Sequence, residues 1–263
     1  MGRFFLPAIF LVASWAHGLT WTQTQQLPEF REAKIALGDS FPEVAAPKFN
    51  ALLARKDLDQ TAKLNLQALL GESLVRAEQP EAALKVLTGN GPKANTWKAH
   101  AFTQLGQLSK AAALLENVKT DENQYQLAVI ANALGDSEKA LTILAPLNEK
   151  NIPAQTLSLS ILLDLNRLDE ATKTLTAKQL EPSQQTPVLR YLNARLLLLK
   201  KDRNAAVGNF QALIDESDTD RQLPAAYFHA ATLGLADALA LDGNEKAATE
   251  SLVGTLTRFP ESP

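Results

Sequence analysis

Three histidines and one run of acids are the residues in this chain whose types could do chemistry. His17, His100 and His229 lie far apart, and neither His100 nor His229 has a second histidine or a carboxylate at metal-ligand spacing. Asp215, Glu216, Asp218 and Asp220 crowd together and could attract a calcium ion. The EF-hand order, with its glycine and distal glutamate, is absent, so the expectation is a solvated loop. There is no cysteine, so thiolate catalysis, thiolate metal sites and disulfides are excluded. No Gly-x-Ser-x-Gly elbow occurs, and Gly89-Asn90-Gly91-Pro92 lacks the Lys and Ser/Thr of a phosphate cradle. The chain is expected to be no enzyme, with no catalytic residue, no metal site and no cofactor.

Composition narrows the partner. Of 263 residues, 46% are apolar and 21% charged, with a net charge of -3. A mildly acidic chain without a basic run lacks the counterion-releasing face that nucleic acid requires. The expected partner is a protein or peptide.

The N-terminus carries Arg3 and then an almost wholly apolar run from Phe4 to Ala16. Its length and flanks are those of a secretory signal peptide over 1–18, cut after Ala16 or Gly18. An uncleaved anchor or a buried first helix is the alternative. The run is too short to span a bilayer comfortably, and no later stretch is apolar enough to do so. The expected location is periplasmic or secreted, with no transmembrane segment left after cleavage.

The elements that would position any site are helices. Apolar residues recur at helical spacing, broken by short polar turns. After a polar Gln/Thr-rich tether over 19–28, two helices at 29–57 form a degenerate first pair, with Pro42 opening the second. Regular pairs then fill 58–260. Leu64, Leu66, Leu69, Leu70, Leu74 and Val75 make one stripe, Gln79-Pro80 breaks it, and Ala83, Leu84 and Leu87 make the next. The same plan returns about six times. Each second helix has an alanine followed four residues later by a larger apolar residue: Ala83/Leu87, Ala111/Leu115, Ala140/Leu144, Ala171/Leu175, Ala206/Phe210 and Ala248/Leu252. Gly71, Ala99, Ala128, Ala194 and Ala236 keep a small residue in the first helix, and Leu159 departs from that rule. Small side chains there let helix axes approach closely.

On these residues the chain resembles the tetratricopeptide repeat proteins. Arg258-Phe259-Pro260 resembles the end of a unit. The alanines stand 28, 29, 31, 35 and 42 residues apart, around the family period of about 34. The resemblance implies an all-α fold, an α-solenoid of antiparallel helix pairs wound as a right-handed superhelix, irregular because its units differ in length. It also implies that function lies on the concave face lined by the first helices. Projected there are Asn65, Ala68, Glu72, Lys93, His100, Tyr125, Asn132, Tyr191, Arg195 and Asp237, among others. His100, Tyr125, Asn132, Tyr191, Arg195 and Asp237 are the candidate partner-binding residues, and Tyr and Arg are the strongest anchors among them. The lysine–asparagine carboxylate clamp of some family members is not reproduced. The expected function is a non-catalytic protein- or peptide-binding scaffold of the bacterial cell envelope. The alternative is a structural or self-associating subunit of an envelope complex, docking through the final helix.

Overall fold

A computed structural model describes residues 18–148, 151–176, 186–220 and 225–258. The expected signal segment up to His17 and the closing Phe259-Pro260 lie outside the described residues. The fold is all-α. Helices α1 (Trp21–Gln26), α2 (Pro28–Gly38), α3 (Pro42–Leu53), α4 (Gln60–Arg76), α5 (Pro80–Val86), α6 (Pro92–Gln104) and α7 (Leu108–Leu115) belong to one compact unit ending at Val118. The second unit holds α8 (Asp121–Ala133), α9 (Ser137–Leu144), α10 (Ile152–Asp164), α11 (Leu168–Thr176), α12 (Pro187–Leu199), α13 (Arg203–Asp220), α14 (Ala225–Leu241) and α15 (Glu245–Arg258).

From α2 onward the helices pair consecutively, and within each unit a first helix also packs on the hairpin before it. Local sequence sets these boundaries. Asp59, Thr120, Asn151 and Thr186 cap the first helices α4, α8, α10 and α12 by accepting a backbone N–H. Proline opens α2, α3, α5, α6 and α12, where its missing N–H costs nothing.

One device closes every hairpin. The first helix ends in a residue with positive φ: Ser40, Glu78, Gly106, Gly135, Asn166, Lys201 or Gly243. The next residue's N–H then donates to the carbonyl five residues back, as from Asp136 to Ala131 at 2.9 Å and from Asp202 to Leu197 at 2.9 Å. This is the Schellman closure, which satisfies a carbonyl left over at the helix end. Five residues after each positive-φ position stands a second-helix alanine. Ala45, Ala83, Ala111, Ala140, Ala171 and Ala206 are wholly buried, and Ala248 nearly so. Ala45 and Phe49 therefore belong to a seventh hairpin, built on the same turn as the other six and not degenerate in its geometry.

Two expectations need correction. Residues 19–28 are not a free tether. Leu19 bridges to the α3–α4 connection, its N–H donating to the Asp57 carbonyl and its carbonyl accepting from Asp59 N–H at 3.0 Å. Helix α1 then starts in a capping box between Thr20 and Gln23, and Trp21 meets Phe30 edge-on at 5.3 Å. The polar composition hid this because Leu19, Trp21 and Leu27 supply the apolar contacts while glutamines face water. The acid run is not a loop either. Asp215, Glu216, Asp218 and Asp220 lie within α13, which continues because nothing between 203 and 220 breaks it. Arg190 on α12 forks onto Glu216, with one arm at 2.9 Å. That guanidinium neutralises Glu216.

Candidate functional site

In the first unit, α2, α4 and α6 turn one face toward α1. Spacing on α4 puts Asn65, Leu69 and Glu72 on one stripe, and on α6 puts Lys93 and Trp97 on one stripe. With Trp21, Gln25, Phe30, Lys34 and Ala68 they enclose a hollow of about 350 Å3. Trp21 and Trp97 supply its aromatic walls. The Arg76 guanidinium lies 5.6 Å from the Trp97 ring centroid, held there by Glu72 at 2.8 Å. The His100 ring also lies near Trp97, at 5.1 Å between ring centroids. Glu72 is thus engaged, while Lys34 and Lys93 have no carboxylate partner among the described residues. The hollow has two aromatic faces and a cationic bias.

In the second unit, first helices α10, α12 and α14 lie side by side. Tyr191 is half-buried between Phe210 at 6.1 Å and Tyr227 at 5.5 Å. That burial pushes its phenol above the ordinary tyrosine value, although Arg195 pulls the other way. Arg195 donates to Asp164 at 2.8 Å. Tyr191, Arg195, Asp164 and Tyr227 therefore form one patch across three first helices. Asn132 accepts the Ser137 hydroxyl at 2.9 Å and so ties its own turn. Tyr125 packs on the cluster containing Ala128 and Ile161. Asp237 is exposed on α14.

Of the six residues projected from sequence, Tyr191 and Arg195 are brought together, and His100 touches Trp97 without lining the first-unit hollow. Trp21, Lys34 and Trp97 were missing from the projection. The capping box of Thr20 and Gln23, followed by Pro28, is the signal that would have placed Trp21 on a helix. Among the described residues no group of three His, Asp or Glu side chains is arranged to hold a metal ion, and no helix is long and apolar enough to cross a membrane.

The hairpin series can be set against known proteins. No family model matches the chain, and no curated protein matches it. A solved structure does: the crystal structure of a tetratricopeptide repeat protein from Parabacteroides merdae superposes with a TM-score of 0.60 over 90% of this chain and 92% of that one, at 15% identity. The fold is a tetratricopeptide fold. At 15% identity the likeness is one of architecture. The Tyr191 patch lies on first helices, and the aromatic hollow lies on first helices together with α1.

Proposed function

We propose that this chain is a non-catalytic docking protein that holds a peptide or protein segment against its first helices. The observation that carries this reading is the hollow between Trp21 and Trp97. Aromatic walls and two lysines without carboxylate partners, on helices whose backbones are fixed by packing, are what a docking site for a side chain needs. The Tyr191–Arg195 patch offers a second contact of the same type in the other unit. Tetratricopeptide scaffolds in general serve protein interaction, which is the fold-level support for the reading.

Site-specific photo-crosslinking in cells tests it. A photoreactive residue in place of Lys93 should give a defined adduct, and the same residue in place of Glu81, on the second helix α5, should not. Equal adducts from both positions, or none from Lys93, would remove the proposal.

We further propose that the protein acts in the cell envelope after export. The support is the Arg3 charge followed by the apolar run Phe4 to Ala16 and the small residues at Ala16 and Gly18. Mass spectrometry of the N-terminus of protein from cells should find a chain starting at His17 or Leu19. A chain that retains Phe4 to Trp15 would refute export by cleavage.

One observation favours a second reading, a self-associating envelope subunit. Leu252 and Val253 on the last helix are 36% and 54% exposed. Light scattering on the purified chain decides it, since a monodisperse monomer contradicts that reading.

A further inference from the structure

A second hollow lies in the second unit, between α13 and α15, on a face of α14 other than the one carrying Asp237. Its volume is about 690 Å3, within the range of pockets that take ligands or inserted side chains. Phe228 and Leu235 form its floor, and Val207 and Ile214 line one wall. The facing wall on α15 carries the small residues Ala247, Ser251 and Gly254 at helical spacing, together with Glu250, Thr255 and Thr257.

Gly254 is the informative residue. It sits well inside α15, where glycine weakens a helix. Two other helical glycines have a packing reason: a Cβ on Gly71 would lie 2.4 Å from Leu87, and one on Gly234 would lie 2.5 Å from Phe210. A Cβ on Gly254 would meet nothing within 4 Å. Gly208 on α13 shares that freedom but does not line the hollow. The small side chain at 254 therefore serves no contact within the described residues. Its effect is to keep the hollow deep.

Charge narrows the occupant. Among the described residues, the ionisable ones lining the hollow are Asp215 on α13 and Glu250 on α15, both acids on facing walls. The walls run for about two helical turns.

We propose that this hollow receives the apolar face of a short amphipathic helix from another protein, with a lysine or arginine on its flank reaching Asp215 or Glu250. Two rails with residues one turn apart, over an apolar floor, match the way a helix is held in a groove. The acids select a basic flank. This site is separate from the first-helix face and stands without that reading.

Fluorescence anisotropy on the full chain tests it. The probe is a labelled eighteen-residue peptide with leucines at helical spacing and lysines elsewhere, and its counterpart carries glutamates for lysines. The lysine peptide should bind saturably, and the glutamate peptide about tenfold more weakly or worse. Gly254→Leu fills the hollow without changing charge; it should cut binding about tenfold while the melting temperature stays level or rises. Should that variant melt lower, Asp215→Asn combined with Glu250→Gln, two changes on the walls, supplies the second reading and should weaken binding several-fold. Undiminished binding to Gly254→Leu, equal binding of both peptides, or no binding would overturn the proposal. So would a dimer of the chain alone that Gly254→Leu dissolves, because the occupant would then be a second copy.

Discussion

Leu87 packs onto the bare backbone of Gly71: a Cβ built on that glycine would lie 2.4 Å from Leu87 Cδ2 and 2.5 Å from its Cγ. The first and second helices of that hairpin are therefore held at a distance that only the absence of a side chain permits. Gly71→Ala should destabilise the protein by about 1–3 kcal/mol through overpacking, measured by urea denaturation. In a Leu87→Ala background the same change should cost far less, because the clashing methyls are gone. Equal costs in both backgrounds would show that the contact is not what Gly71 provides.

The hairpin turns make an opposite prediction. Lys201 and Glu78 occupy the positive-φ position that Gly106, Gly135 and Gly243 fill elsewhere. A side chain in that conformation is strained, so Lys201→Gly should raise stability by about 0.5–1 kcal/mol after allowing for the looser unfolded chain. Gly135→Ala should lower it by about 1 kcal/mol. Thermal melts of the two variants check the signs.

Tyr191 should ionise late. Burial raises its phenol above the ordinary value, so the folded state holds the proton more tightly than the unfolded chain does. The stability this provides is complete below the ordinary tyrosine pKa of about 10 and is lost as pH rises through the folded value. Absorbance titration at alkaline pH should show a late phenol that Tyr191→Phe removes, and the variant should unfold less readily above that pH than the wild type does.

Acid should act in the other direction. A side-chain bond from Arg167 holds Glu170 below its ordinary value, and one from Arg190 does the same for Glu216. Arg167 also bonds Glu138 on α9, which ties neighbouring second helices together. Carboxylates with depressed folded pKa values stabilise above the ordinary glutamate value of about 4.3, and the effect is lost as pH falls through the folded value. Glu216→Gln should flatten the acid limb of a stability–pH curve slightly. Half-molar salt should do the same to the wild type, because these pairs are exposed and screened.

The repeat was legible because its determinants are local. From Ala83 to Ala248 the intervals between the second-helix alanines equal those between the positive-φ turns, since each alanine follows its turn by five residues. Four of those turns carry Ser40, Glu78, Asn166 or Lys201 in place of glycine, so glycine alone would have found three hairpins. Leu159 breaks the small-residue rule and is still wholly buried, a sign that the close approach is not needed in every pair.

What sequence reading missed depends on tertiary contact. Helix α1 is too short to hold itself, and it exists because Leu19 and Trp21 dock on the α2–α4 surface. The acids of α13 read as a loop because Arg190, which faces Glu216, is 26 residues away in sequence. The aromatic hollow needs residues from α1, α2, α4 and α6, which no single repeat unit contains.

The most direct test of docking on the first helices is a calorimetric titration. The peptide cross-linked at position 93 should be synthesised and titrated into wild type and Trp97→Ala. Affinity should fall about tenfold or more in Trp97→Ala with the fold intact by circular dichroism. Unchanged affinity in a folded Trp97→Ala protein would contradict the account.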